Sequence, residues 1–270
     1  MRIFLPAFLS NHPVLGKYAS RATVLFHGST MMGVDDKGSD LDFWLILPER
    51  SCRRCVGSAG TSFFGFECKG KPGHLNAISI GEFRDSIARC DMDIIYQLRS
   101  SVVIRDCKRL GSSLIRTASR PMRPSVRKDL FFYYYTEMRG EHRSADNPMA
   151  RGDSVSVLLA VSKTLTMALR AAIVLEAKPF PYDKWLFHAA MDTPTGRLIA
   201  PEVRTVLTAI RSGWLERKAV DRKNPAGVAL REIRFKLVKA AQKKGIDEPW
   251  LKEWWLFIPQ AREARKNVRW

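Results

Sequence analysis

Apolar and polar positions alternate as short strands and turns over residues 1–120, and then recur with a helical period. Ala22 to His27 is rich in strand formers and stops at Gly28. Asp35-Asp36-Lys37-Gly38 is turn chemistry, and the strongly apolar run from Leu41 to Leu47 is a second strand ended by Pro48. Ser62 to Cys68 and His74 to Ile80 are the arms of a hairpin around Gly70-Lys71-Pro72-Gly73, and Val102 to Arg105 is a further short strand. Helices are expected over Asn11 to Ser20 and from Ile80, with a break, to Arg99.

The segment Ser119 to Ser125, with Pro121 and Pro124, reads as a linker. Beyond it, Ser125–Glu141, Asp153–Ala177, Pro201–Ser212, Pro225–Lys244 and Pro249–Val268 allow helical periodicity. Several of these open on Pro, which a first helical turn tolerates. The predicted fold class is α+β: a mixed sheet with flanking helices over 1–120, then a helical bundle over 121–270. The most apolar stretch, Val155 to Ala177, carries Lys163 and Arg170 inside it, which suits a bundle helix better than a membrane span. The start, Met1-Arg2-Ile3-Phe4-Leu5-Pro6, lacks a cleavage site of the secretory kind. Five cysteines without small-scaffold spacing point to a reducing compartment. A cytoplasmic protein with no membrane partner is therefore expected.

Charge changes this picture. The chain has 270 residues, with 45 Lys plus Arg against 27 Asp plus Glu, a formal net charge of +18. Such a field favours anionic partners such as nucleotides or RNA, or equally reflects a generally basic surface. The end of the chain repeats the bias: Trp250, Trp254 and Trp255 lead into Arg262, Arg265, Lys266 and Arg269. Aromatics among cations can stack on bases, and they can equally be the buried face of an amphipathic helix.

Candidate chemistry is concentrated in Phe26-His27-Gly28-Ser29-Thr30 and Ser39-Asp40-Leu41-Asp42. Asp40 and Asp42 are two apart, so strand alternation puts both carboxylates on one face. Two carboxylates on an apolar strand repel each other, and a divalent cation removes that penalty; hard oxygen donors suit Mg²⁺. Gly28 permits close approach of the backbone to a ligand, and the N–H groups and hydroxyls of Ser29 and Thr30 can cradle phosphate.

This segment resembles the signature of the DNA polymerase β-like nucleotidyltransferase superfamily: a hydrophobic strand, Gly-Ser, a spacer, then Asp-hydrophobic-Asp. The resemblance implies that Asp40 and Asp42 bind metal, two Mg²⁺ ions in the family, and that Gly28 and Ser29, with Thr30 and Ser39 beside them, hold the triphosphate of an NTP such as ATP. Arg151-Gly152-Asp153, a long helix, and Pro181-Tyr182-Asp183-Lys184-Trp185-Leu186 are similar to the helical domain of lincosamide- and kanamycin-type nucleotidyltransferases. That likeness makes Asp153 and Lys184 cleft candidates, although Asp153 also suits a helix N-cap and Lys184 a solvated lysine beside a core Trp. The family commonly adds a third carboxylate on a following strand. Here Asn76 stands at that place, and Glu67 on the other hairpin arm is the candidate third ligand or general base, with Asp91 and Asp93 behind it. The implied acceptor is a small-molecule hydroxyl, with RNA, protein or loss of activity as the alternatives; the basic charge disfavours a cationic aminoglycoside. Cys52, Cys55, Cys68 and His74 can supply four zinc ligands, or are reduced residues of an exposed basic loop and a hairpin. His12, His27, His142 and His188 form no readable ligand spacing, and His27 reads as a strand end.

Overall fold

The computed structural model describes residues 4–213 and 224–270; the expectations for Met1 to Ile3 and the stretch from Trp214 to Lys223 lie outside the described residues. The chain divides into two compact units, Met1–Arg120 and Pro121–Trp270, and it is α+β. The first unit holds a five-stranded sheet of β1 (Thr23–His27), β2 (Leu41–Leu47), β3 (Phe63–Cys68), β4 (Lys71–Ser79) and β5 (Val102–Arg105). The strand order is β3-β4-β2-β1-β5. β2 and β4 run parallel, and the other neighbours are antiparallel. The hairpin turn is Lys69-Gly70, shorter than expected, and both residues have positive φ (53° and 75°), the conformation of a two-residue primed turn whose twist matches that of the strands.

Alternation sorts the strands into two faces. Val24, Phe26, Phe43, Leu45, Phe64, Cys68, Leu75 and Ala77 point to one side, where they form a core with Leu5 and Leu9 of α1 (Phe4–Asn11) and Cys52 and Cys55 of α3 (Glu49–Ala59). Cys52 and Cys55 are thus buried helix residues and not part of an exposed basic loop. Their spacing puts both on one helix face, and burial pushes the Cys52 thiol up to about 11. Cys68 faces this core while His74 faces the other side, so the register separates two members of the proposed zinc set. The helix expected over Asn11 to Ser20 is instead the end of α1 followed by two 3-10 turns, because Pro13 cannot continue a helix.

The opposite sheet face carries Leu25, Trp44 and Ile46, and α4 (Ile80–Ala88), α5 (Met92–Ser100) and α6 (Leu110–Ala118) belong to this side. Phe83 of α4 meets Trp44 edge-on at 4.8 Å between centroids. α4 starts at a capping box: Ser79 Oγ accepts from Glu82 N (3.1 Å) and Ser79 N donates to Glu82 Oε2 (2.8 Å). We expect Ser79→Ala to cost about 1 kcal/mol in urea unfolding at unchanged m-value. Arg99 closes the end of α6 by donating to the carbonyls of Ala118 and Arg120, both at 2.8 Å.

The second unit is helical. α7 (Pro124–Ser144) packs on α9 (Ser154–Leu175), with α8 (Asp146–Arg151) between them in sequence, followed by α10 (Asp183–Met191), α11 (Pro194–Arg211), α12 (Pro225–Lys243) and α13 (Ile258–Asn267). α9 is long and apolar enough to cross a membrane by length and composition, and here it buries Val157, Val161, Ala168 and Ala172 in the bundle. α11 begins at Pro194, earlier than expected, because Thr193 Oγ1 caps Gly196 N at 3.0 Å, and Pro201 is accommodated inside the helix. The C-terminal stretch is two 3-10 turns and a short helix, not one continuous helix. Trp250 and Trp254 are buried, Trp250 against Phe131 and Phe132, while Trp255 is exposed.

His142 on α7 is pushed from its ordinary 6.5 down to about 4, first by burial and then by the positive charge of Arg139. An unfolded chain takes up this proton near 6.5 and the folded one only near 4, so the stabilising contribution is complete above pH 6.5 and is lost as pH falls toward 4. His142→Gln is expected to lose less stability than the parent chain between pH 7.5 and pH 5, measured as urea midpoints.

Candidate metal and phosphate site

β1 ends at His27, and the chain turns at Gly28 with φ 84° and ψ −166°, a region open in practice to glycine alone. A Cβ at Gly28 would lie 2.3 Å from Asp42 Oδ2 and 2.9 Å from Asp42 Cβ. The backbone of the turn therefore rests directly on the Asp42 side chain. Ser29–Met32 forms a single helical turn, α2, whose first N–H groups have no partner within the helix. Ser29 is buried. The Thr30 hydroxyl is sealed from solvent without a hydrogen-bond partner.

A second turn delivers the carboxylates. Asp36 Oδ1 accepts from Gly38 N and from Ser39 Oγ, both at 3.0 Å, and Asp36 N donates to Ser39 Oγ at 2.9 Å. The Ser39 hydroxyl thus closes the loop that enters β2. Asp40 comes one residue before β2, and Asp42 is its second residue. The parallel register sets His74 of β4 beside Asp42. Asp40, Asp42 and His74 form a group whose ligand atoms all lie within 4.8 Å of one another, each half-buried. His74 Nδ1 is 2.8 Å from Asp40 Oδ2 and 4.0 Å from Asp42 Oδ1, and its ring packs on Phe63 at 4.5 Å.

His27 pairs with Asp42 across β1 and β2 and shares its face. Its ring stacks on Trp44 at 3.7 Å, and Nδ1 lies 3.0 Å from Gln97 Oε1. Gln97 Nε2 donates to Asp93 Oδ1 at 3.0 Å, so Gln97 presents its carbonyl oxygen, and His27 Nδ1 is the donor. Burial, the largest cause, holds His27 down to about 4. It is therefore neutral, with a lone pair on Nε2, an atom that is sealed and has no partner. Two orphaned polar atoms, His27 Nε2 and Thr30 Oγ1, thus lie on the residues flanking Gly28-Ser29.

The other sequence candidates of the first unit lie outside this three-residue group, and Asp153 and Lys184 belong to the second unit. Asn76 pairs with Trp44, one step deeper into the sheet than His74. Glu67 is exposed, pairs with Pro72, and is a diagonal neighbour of His74 on the same face, outside the three-residue group. Such diagonal neighbours lie about 7–8 Å apart, their Cβ atoms somewhat less. Asp91 caps α5, accepting from Ile94 N at 3.4 Å, and Asp93 holds Gln97. In the second unit Asp153 caps α9, accepting from Ser156 N at 3.0 Å. Lys184 lies with Nζ 5.0 Å from the centre of the Trp185 ring. His74 and His27 are the site residues that spacing did not reveal. The signal for His74 was its place on the Asn76 face of the hairpin arm.

The donor set fits a divalent cation: two half-buried carboxylates and an imidazole nitrogen converge, and the Gly28 turn packs directly against one of the carboxylates. No family model matches this chain, and no curated protein matches it in sequence. Among solved structures it is similar to a nucleotidyltransferase-like protein from Exiguobacterium sibiricum 255-15, with 10% identity and a TM-score of 0.47 over 91% of this chain and 79% of that one.

Proposed function

We propose that this chain is a metal-dependent nucleotidyltransferase that moves a nucleoside monophosphate from an NTP, ATP first, to a hydroxyl of a small-molecule acceptor, with release of pyrophosphate. The observation that carries the reading is the seat of the Gly28 backbone on Asp42, because it brings a phosphate-gripping turn and a cation-binding acid pair into one place. The free N–H groups that open α2, with the Ser29 and Thr30 side chains, bind the β- and γ-phosphates in this proposal. Asp40, Asp42 and His74 would hold the cation, which would supply charge neutralisation of the phosphates and electron withdrawal at the phosphorus. The acceptor oxygen bonds to the α-phosphorus as the bond to pyrophosphate breaks, and its proton passes to a carboxylate, for which Glu67 is the proposed acceptor.

An imidazole nitrogen in the donor set widens the choice of ion from Mg²⁺ toward Mn²⁺ and its neighbours. The test is incubation with α-labelled ATP and Mg²⁺ or Mn²⁺, against separate pools of small hydroxyl compounds, RNA and protein. Label in the small-molecule pool with matching pyrophosphate, and more of it with Mn²⁺, supports the proposal. Label in RNA or protein keeps the chemistry and overturns the acceptor. Metal-dependent nucleotide binding without pyrophosphate makes the chain a nucleotide-binding relative, and absence of that binding removes the proposal altogether.

A further inference from the structure

A pocket of about 190 Å³ in the second unit is lined by Arg139, His142 and Arg143 of α7, Asp146 of α8, and Arg231 and Arg234 of α12. Helical spacing brings these residues together. Positions 139, 142 and 143 lie on one face of α7, and 231 and 234 on one face of α12. Among the described residues that line the pocket, four guanidinium groups thus meet one carboxylate, and Asp146 is itself well exposed, 3.8 Å from Arg143 Nε.

Like charges at this density repel unless something anionic joins them. Arg234 is held below the ordinary arginine value by burial first and then by Arg139, with Arg231 adding to it and Tyr135 and Glu232 opposing it. His142 is lowered by burial and then by Arg139, with Arg234 and Arg231 adding to it and Asp146 opposing it. The Arg139 Nε is sealed from solvent and has no partner. Two of the four guanidinium groups are also held in place. Arg139 lies over the Trp254 ring at 5.4 Å and reaches Tyr135 Oη at 3.5 Å, while that hydroxyl donates to the Leu251 carbonyl at 2.7 Å. Arg234 lies 4.2 Å from the centre of the Phe235 ring. Ordered cations of this kind lose little freedom when they bind a ligand.

We propose that this pocket is a phosphate-binding site that grips a single phosphate group between the guanidinium forks of Arg139, Arg143, Arg231 and Arg234. The volume is below the roughly 300–1,000 Å³ of pockets that enclose a whole small molecule, so the phosphate enters and what it is attached to stays outside. Arginine forks match the oxygens of a phosphate in a bidentate way, and several forks on one group use all its faces. The site draws on none of the residues around Gly28 and Asp42.

The test uses the full chain in EDTA, at about 0.15 M salt so that distant charges are screened. Inorganic phosphate, ATP and a short RNA are titrated separately, which distinguishes a free phosphate, a nucleotide tail and a nucleic-acid backbone as its source. At least one should bind, and the Arg231→Gln, Arg234→Gln double variant should weaken it tenfold or more. Lys239→Gln, an exposed position on the same helix, should change it less than twofold. The ring signal of His142 in the parent chain should shift on saturation, a readout that holds even if the double variant fails to fold. No binding by any of the three, an equal loss in Lys239→Gln, or an unmoved His142 signal overturns the proposal. An Asp40→Ala, Asp42→Ala chain that still binds phosphate in EDTA but has lost metal-dependent nucleotide binding separates this site from the transferase reading.

Discussion

Under the proposed function, Asp42→Asn is expected to lower nucleotidyl transfer by about a thousandfold while leaving the fold intact. The carboxylate belongs to the three-residue group that would hold the cation, and the Gly28 turn rests on it. Charge stabilisation by a bound ion contributes several kcal/mol to phosphoryl chemistry, and each ~1.4 kcal/mol is a factor of ten in rate. Asn keeps the shape, so circular dichroism and the urea midpoint should stay close to those of the parent chain while pyrophosphate release collapses. A variant that retains more than a tenth of the parent rate would remove Asp42 from the chemistry.

The second large effect concerns the turn itself. Gly28→Ala meets two obstacles: a backbone conformation that other residues avoid, and an Asp42 oxygen 2.3 Å from the new Cβ. Strain of this kind costs about 1–3 kcal/mol and a forced core displacement a similar amount, so a loss of about 2–5 kcal/mol is expected in urea unfolding. Gly33→Ala is the comparison. Gly33 also has positive φ, 70°, but nothing lies within 4 Å of the added carbon, and it should lose only about 1–2 kcal/mol. Equal losses at the two positions would show that the contact with Asp42 is not tight. Under the proposed function, metal-nucleotide affinity should also fall in Gly28→Ala, because the turn and the acid can no longer pack together.

Local patterning made much of the first unit legible. The runs 41–47 and 102–105 are strands with the bounds their composition implies, and the 40/42 spacing does bring two carboxylates together. What stayed hidden is what local pattern cannot carry. α3 reads as a basic loop because Arg50, Arg53 and Arg54 dominate it, and its buried face is announced chiefly by two cysteines. His74 reaches the acids only because β4 lies parallel to β2, a pairing of distant segments that no periodicity encodes. His27 reads as a strand end because its role depends on Gln97 from α5, and Gln97 is oriented in turn by Asp93. In the second unit Thr193 outweighs the more obvious Pro201 as a helix start, since a capping hydroxyl sets the boundary and a proline can be absorbed inside.

The pairing of β2 with β4 also bears on how the chain reaches this state. Strands that run side by side in the same direction must be brought together across a long connection, here α3 and β3, so the histidine and the acids converge only through a non-local pairing. Sliding β4 by one position would turn His74 into the oily layer and set Leu75 against Asp42. The hydrophobic side of the strand thereby proofreads the polar side, and a chain that buries Leu75 correctly has assembled the Asp–His group by the same act.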